Sequence, residues 1–416
     1  MSQSLLLFEQ ALSLMTSRSL WPQFHPENTP YIVFDGQNTT LYHTPPPSHA
    51  WTRDANRLVF RGRHPSVTAN TATVLENGVV AASLMLNGLP SDPKTLAAIA
   101  VHEAFHVFQQ LNPSPAWESN ELDAFTYPND DEEMLALAVM EDEALTCALH
   151  DRHDWQTPAG EALEWRRRRQ LSLHPQHLNY ERAMERIEGL AHYVEVSFLD
   201  QCPRVEGDVL KVRQRAYGVG AAWAVLLDRT GLEWKLNLAE PSMSLDEVLA
   251  QRLAPRTVGE IPRAVHQRAN ESAMRVHRQR AQEVAAFEAQ RGESVWIRAS
   301  SKLWLRGFDP MNVIVLSGGQ LLHRRYLRFG NDEIEGEVMG QACLSFSSSE
   351  PLLASGIDEI RVLGVEEVQV TEEGRQLEAP GLLLRSKQGR WCHEGGEWRY
   401  TAVVEASSSS GTPSRN

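Results

Sequence analysis

Cysteine is scarce in this chain of 416 residues: Cys147, Cys202, Cys343 and Cys392 are the four, and no two form a CxxC pair. That excludes a disulfide scaffold and a cysteine zinc knuckle, and it points to a reducing compartment. Long apolar runs are missing too. No stretch of about 18 apolar residues occurs, so no membrane span is expected. The N-terminus, MSQSLLLFEQALSLMTSRS, has no basic leader, and Glu9 and Gln10 interrupt its short apolar run. It reads as an amphipathic helix rather than a signal peptide, which implies a cytoplasmic location. Basic residues are outnumbered, 40 Lys and Arg against 54 Asp and Glu, for a net charge of −14. A field of that sign repels polyanions, so neither nucleic acid nor an anionic membrane is an expected partner.

What remains is ordinary globular material. Apolar residues make up 42% and charged residues 23% of the chain, which excludes global disorder. At about 100–200 residues per domain, the length allows two or three domains. Residues 4–16 pattern as a helix, and 30–42 as two short strands around Asp35-Gly36. Residues 70–86 read as a hairpin about Asn77-Gly78, a dipeptide that tolerates positive φ at both positions. Asp92 and Pro93 then open a helix that runs to Asn112-Pro113. Further helical patterns cover 131–150, 158–172, 178–199, 213–229 and 262–291. From 292 to 405 the chain changes to short β-branched and aromatic runs separated by Gly and Asn. Residues 406–416 (SSSSGTPSRN with its preceding Ala) are a Ser/Gly/Pro-rich tail expected to be disordered.

The helix predicted for 93–111 carries His102-Glu103-Ala104-Phe105-His106, an HExxH pattern. Residues four apart share a helical face, so both imidazoles can reach one metal. A zinc ion held by two His and a carboxylate keeps a fourth position open, and a water there becomes acidic enough to activate near neutral pH. Glu103 is placed to take that water's proton and pass it to a leaving amine. The alternative is a core helix with two incidental histidines, and two His at this spacing with a Glu between them argue against it.

The third ligand has two candidate sources. Glu188, His192 and Glu195 form one stripe at i, i+4 and i+7, and Gly189 beside Glu188 would let a second helix approach closely. The other source is Glu141 or Glu143, in an apolar helical segment nearer in sequence to His106. The pattern favours Glu188. Glu185 and Glu195 read as solvated acids or as supports behind the ligands. Charge developing on a carbonyl oxygen needs a donor, and His192, Tyr193 and Tyr217 are the candidates, each of which could instead be a core residue. The run Glu164-Trp-Arg-Arg-Arg-Arg169 reads as a helix face paired with acids rather than a nucleic-acid site.

HEAFHVFQ at 102–109 followed by EGLAHYVE at 188–195 resembles the gluzincin metallopeptidases, specifically bacterial proteins with a peptidase MA-like domain. The resemblance covers about 60–230. It implies zinc on His102, His106 and Glu188, Glu103 as general base, and a peptide or protein substrate. It also implies a zincin-like, mainly helical metallopeptidase domain carrying a small antiparallel sheet; with the strand pattern after 292 the expected architecture is α+β, that domain over 1–291 with a helical insertion at about 131–172, then a mostly-β domain (292–405). In that plan residues 79–86 form an edge strand that pairs with extended substrate. Two departures stand out. The gap from His106 to Glu188 is long, and His192 occupies the position where many gluzincins carry an Asp that orients a ligand His. A catalytically weak zinc protein, with the β domain recognising a partner, is the second reading. The acidic surplus by itself favours basic or neutral substrates.

Overall fold

The computed structural model describes residues 2–15, 19–124, 127–205, 209–238, 243–309, 312–316, 318–349 and 355–402. The expected tail at 406–416 lies outside them. The chain divides into two compact units, residues 1–120 with 127–273, and residues 121–126 with 274–416.

The first unit opens with α1 (Gln3–Leu14) and then six strands: β1 (Tyr31–Phe34), β2 (Asn38–Tyr42), β3 (Thr52–Asp54), β4 (Arg57–Arg61), β5 (Thr71–Val74) and β6 (Val80–Met85). Asp35 sets the first turn, its Oδ1 accepting from the Asn38 amide at 2.8 Å, with Gly36 at φ +95°. Gly78, at φ +82°, closes the β5–β6 hairpin. The six strands form one sheet in the order β3-β4-β2-β1-β6-β5. All neighbours are antiparallel except β1 and β6, which run parallel from Tyr31↔Ala82 to Phe34↔Met85.

Period-2 alternation explains why this sheet is covered on both faces. Tyr31, Val33, Tyr42, Ala82 and Leu84 join the main core with α1 and the helix that follows. Ile32, Leu41, Leu58 and Ala81 point the other way and close a second core with Trp51, Val67 and Leu75.

The helices are α2 (Pro93–Leu111), α3 (Glu132–His150), α4 (Gln156–Leu171), α5 (Pro175–Met184), α6 (Leu190–Leu199), α7 (Val212–Arg229), α8 (Trp234–Asn237), α9 (Leu245–Ala250) and α10 (Arg263–Glu288). Asp92 caps α2 through the Thr95 amide at 2.8 Å, with Pro93 at the first helical position. Most of α2 is buried, including His102 and Glu103. Between α5 and α6 the chain makes one π-helical turn, Glu185–Gly189. Such turns insert a residue and swing the side chains beyond it, and they recur at functional sites. Here α7 packs tightly against it. A Cβ on Gly189 would lie 2.6 Å from the Gly220 Cα, and one on Gly220 would lie 2.4 Å from the Glu185 carbonyl. Only glycine at both positions allows that approach.

The Arg run of α4 divides by helical phase. Arg167 and Arg168 stay outside on Glu164. Arg166 and Arg169 are each 1% exposed and point inward. Arg166 holds Glu141 at 2.9 Å and Glu185 at 2.5 Å, and lies 3.0 Å from Asp246. Arg169 holds Glu141 and Glu181, while Arg215 of α7 holds Asp142 at 2.6 Å. This buried network ties α3, α4, α5, α7, α9 and the π turn together. Losing one partner of such a network strands a charge and costs about 3–5 kcal/mol.

The second unit contains the thirteen remaining described strands, from β7 (Glu293–Ile297) to β19 (Glu397–Ala402), in a seven-stranded and a six-stranded sheet. Their apolar faces enclose a core that includes Val295, Ile297, Phe329, Ile334, Val362 and Leu384.

The architecture corrects the expected mainly helical zincin-like domain with a small antiparallel sheet. Helix accounts for 41% of the structure and strand for 25%, in three sheets. The first sheet is six-stranded and mixed, with a parallel central pair. Two properties hid this. β3 is three exposed residues and β4 only five, mostly half-buried, so apolar alternation does not mark them. The β1–β6 pairing joins residues 51 positions apart, Tyr31 with Ala82 for example, which no local turn signal announces. The expected edge strand is also corrected: β6 lies inside the sheet between β1 and β5, and β5 forms the edge.

Candidate metal centre

Helix α2 brings His102 and His106 to one face, their Nε2 atoms 3.2 Å apart. The π turn brings Glu188 beside them, its Oε2 lying 3.3 Å from His106 Nε2 and 3.7 Å from His102 Nε2. These lengths can be compared with a metal geometry. Four ligands at about 2.0–2.1 Å around tetrahedral zinc stand about 3.3 Å from one another. The triangle of two nitrogens and one oxygen thus matches one face of that tetrahedron. Glu188 Oε2 is buried, makes no hydrogen bond of good geometry and faces the two imidazole nitrogens. A cation at the centre of the triangle would give all three atoms a common partner. Among the described residues, His102, His106 and Glu188 form one of two His and acid groups whose candidate ligand atoms all lie within 4.8 Å of one another; His102, His192 and Glu195 form the other.

The ring nitrogens facing away from the triangle are also occupied, which fixes the tautomers. His106 Nδ1 meets Gln109 Oε1 at 2.8 Å, an acceptor only, so Nδ1 carries the proton and the Nε2 lone pair faces inward. Gln109 Nε2 in turn donates to the Ile187 carbonyl at 3.1 Å, fastening the π turn to α2. His102 Nδ1 lies 3.1 Å from Glu195 Oε2, and His192 Nδ1 lies 2.9 Å from the same oxygen. Glu195, not residue 192, therefore orients the His102 ring. Partners of this kind hold ligand rings in place and commonly contribute 10–100-fold to metal affinity. Accordingly, Glu195→Gln should weaken zinc binding by about 10–100-fold while leaving the fold intact; competition with a chromophoric chelator measures it, and unchanged affinity would remove Glu195 from this role.

Glu188 has its own supports. Its Oε1 accepts from Arg213 at 2.8 Å. The Tyr217 hydroxyl also donates to Glu188, and its ring stacks on His102 at 5.8 Å between centroids and 9° between planes. Burial opposes the charged form of Glu188, but the two imidazoles and the tyrosine hydroxyl outweigh it and hold the carboxyl far below the usual range. Burial similarly disfavours charged His102, yet Glu188 and Glu195 push it up to about 10. Burial raises the Glu103 carboxyl, against the opposing pull of His102 and His106, which moves it toward the range a general base needs.

A linkage follows. Without metal, His102 keeps its proton until pH reaches about 10, whereas a ligand imidazole must be neutral. Zinc binding at pH 7–9 should therefore release about one proton, and affinity should rise by nearly tenfold per pH unit there. Calorimetry in two buffers of different ionisation enthalpy measures this. A pH-independent affinity would contradict it.

The other anticipated residues fall into place individually. His192 supports Glu195, and Tyr217 touches the centre. Tyr193 does not: its hydroxyl donates to Asp228 and accepts from Lys235 at 2.7 Å, and its ring packs edge-on against Trp21 and Trp234. At i+5 from Glu188 it leaves the ligand stripe. Glu141 is bound by three arginines in the buried network, and Glu143 pairs with Arg268 at 3.1 Å on the surface. Neither joins the histidines. Gln109 and Arg213 were not anticipated. Gln109 sits at i+3 from His106, a readable helical relation, whereas nothing in the sequence marks Arg213. No family model, curated protein or solved structure matches the chain.

Proposed function

We propose that this chain is a zinc-dependent metallopeptidase that cleaves peptide bonds in a peptide or protein substrate. The observation that carries the reading is the triangle of His102 Nε2, His106 Nε2 and Glu188 Oε2, with Glu103 next to the first histidine. The resemblance of HEAFHVFQ and EGLAHYVE to gluzincin motifs supports it at the level of sequence.

His102, His106 and Glu188 would hold the metal. Bound zinc supplies a Lewis acid, which makes a water acidic and polarises a carbonyl. Glu103 takes the proton from the attacking water and delivers it to the leaving amine nitrogen. Its raised carboxyl pKa suits both halves of that transfer. Tyr217, held against His102, is the candidate donor for charge developing on the carbonyl oxygen, a role for which its hydroxyl must turn from Glu188. An extended substrate pairs with the free edge of β5, the last strand of the sheet. Among the described residues no helix is long and apolar enough to cross a membrane.

The test is cleavage of a mixed peptide library by the zinc-loaded chain, read by mass spectrometry. Zinc-dependent cleavage is expected. A chain that binds one zinc yet cuts nothing would instead favour the zinc protein without hydrolysis.

A further inference from the structure

His192 and Tyr217 have outer faces as well as inner ones. Together they wall a cavity of about 310 Å³, further lined by Gln201, Cys202, Arg204 and Gln214. A group seated there is one side chain away from the metal triangle, because Tyr217 stacks on His102 and His192 is bonded to Glu195.

The lining is polar, and its charge differs from that of the whole molecule. The chain carries a net −14, but no carboxylate is among the described residues that line this cavity. Arg204 brings a full positive charge and, among the described residues, has no ion-pair partner. The backbone beneath it is held by α7: a Cβ on Gly218 would lie 2.3 Å from the Arg204 carbonyl, while the Arg204 side chain is exposed. At the other end of the lining, the charges of Arg229 and Arg152 both act on the Cys202 thiol. Arg229 spends its donors on the carbonyls of Ala148 and Leu149, each at 2.7 Å, with Asp151 as the acid nearby. Gln201 and Gln214 add neutral donors. A cavity whose described lining offers an exposed guanidinium and two amides, and no carboxylate, suits a carboxylate ligand.

We propose that this cavity is a carboxylate-recognising subsite in which Arg204 selects peptides carrying a negative group close to the bond that is cut. The proposal rests on the metallopeptidase reading and deepens it by naming a substrate class. The carboxylate can come from an acidic side chain or from a free C-terminus, because the same guanidinium fork fits both.

The experiment measures binding to zinc-loaded Glu103→Gln protein, which holds peptide without cutting it. Three fluorescent hexapeptides share one neutral sequence. The first carries Glu at one position with an amidated end, the second carries Ala there with a free C-terminus, and the third carries Lys there with an amidated end. Moving the variable position along the peptide covers every register. One of the carboxylate peptides should bind about tenfold more tightly than the lysine peptide, and which of the two does so identifies the source. Adding Arg204→Glu should abolish or invert the preference, and Arg204→Gln should reduce it. Equal binding of all three peptides, no binding of any, or a preference indifferent to Arg204 would overturn the proposal. Failure of the hydrolase reading looks different: it appears as absent zinc or uncut peptide in the wild type, whatever the binding preference.

Discussion

Glu103→Gln should retain zinc and fold while losing hydrolysis by about 10²–10⁴-fold, the usual contribution of a positioned general acid–base group. The amide has the shape of the carboxyl but cannot accept the water's proton. The effect on stability follows from the same environment. Burial raises the Glu103 carboxyl, so the folded state disfavours its charged form. An acid of that kind weakens folding as pH rises above its ordinary range. Replacement by a neutral amide should therefore leave the melting temperature of the metal-free protein at pH 8 unchanged or slightly higher. The measurement pairs peptide cleavage with zinc content and thermal unfolding for both proteins. Equal cleavage by wild type and variant would refute the assigned base, and a fall in zinc would show that Glu103 has a ligand's role instead.

Glu188→Ala should lower zinc affinity by more than about a hundredfold, beyond what loss of an orienting partner produces. It removes the one carboxylate oxygen that faces both ligand imidazoles. It also leaves Arg213 without its 2.8 Å contact to that residue. In the metal-free protein Glu188 stabilises the fold because its carboxyl is held far below the ordinary range. That contribution is present above pH about 4.5 and lost as pH falls below it, so the variant should lose stability at neutral pH but not in acid. Glu141→Ala is the contrasting variant. Three buried arginines share that carboxylate, so its loss should cost about 3–5 kcal/mol of stability with zinc affinity intact. Glu143→Ala, at the surface, should change neither. Chelator competition and denaturant unfolding on the three variants separate the outcomes. Normal zinc binding by Glu188→Ala would move the third ligand elsewhere.

The parts of this site that were legible in the sequence are those governed by helical spacing. His102 and His106 share a face of any α-helix, and Glu188, His192 and Glu195 recur on one stripe. Gly189 beside Glu188 signals a close helix approach, but the helix that meets it is α7, at Gly220, and not the one that carries the histidines. Tyr193 was misplaced because one residue of helical phase separates it from that stripe. The π turn that lifts Glu188 toward α2 has no sequence signature of its own. Neither does the inward phase of Arg166 and Arg169: apolar periodicity treats every charge as solvent-facing, whereas these are matched by Glu141, Glu181 and Glu185 from elements far apart in the chain. The sheet was partly hidden for a related reason. Hairpins such as β5–β6 declare themselves through Asn77-Gly78, but the parallel union of β1 and β6 depends on burial that only the assembled helices supply.

The most direct test of the metal centre is X-ray absorption at the zinc edge on the chain loaded with one equivalent of zinc. The expected spectrum shows four light ligands at about 2.0–2.2 Å, two of them with the multiple-scattering signature of imidazole. Glu188→Ala at the same zinc-to-protein ratio should lose that pattern. Six oxygens without imidazole, or a sulfur shell at about 2.3 Å, would contradict a centre built from His102, His106 and Glu188.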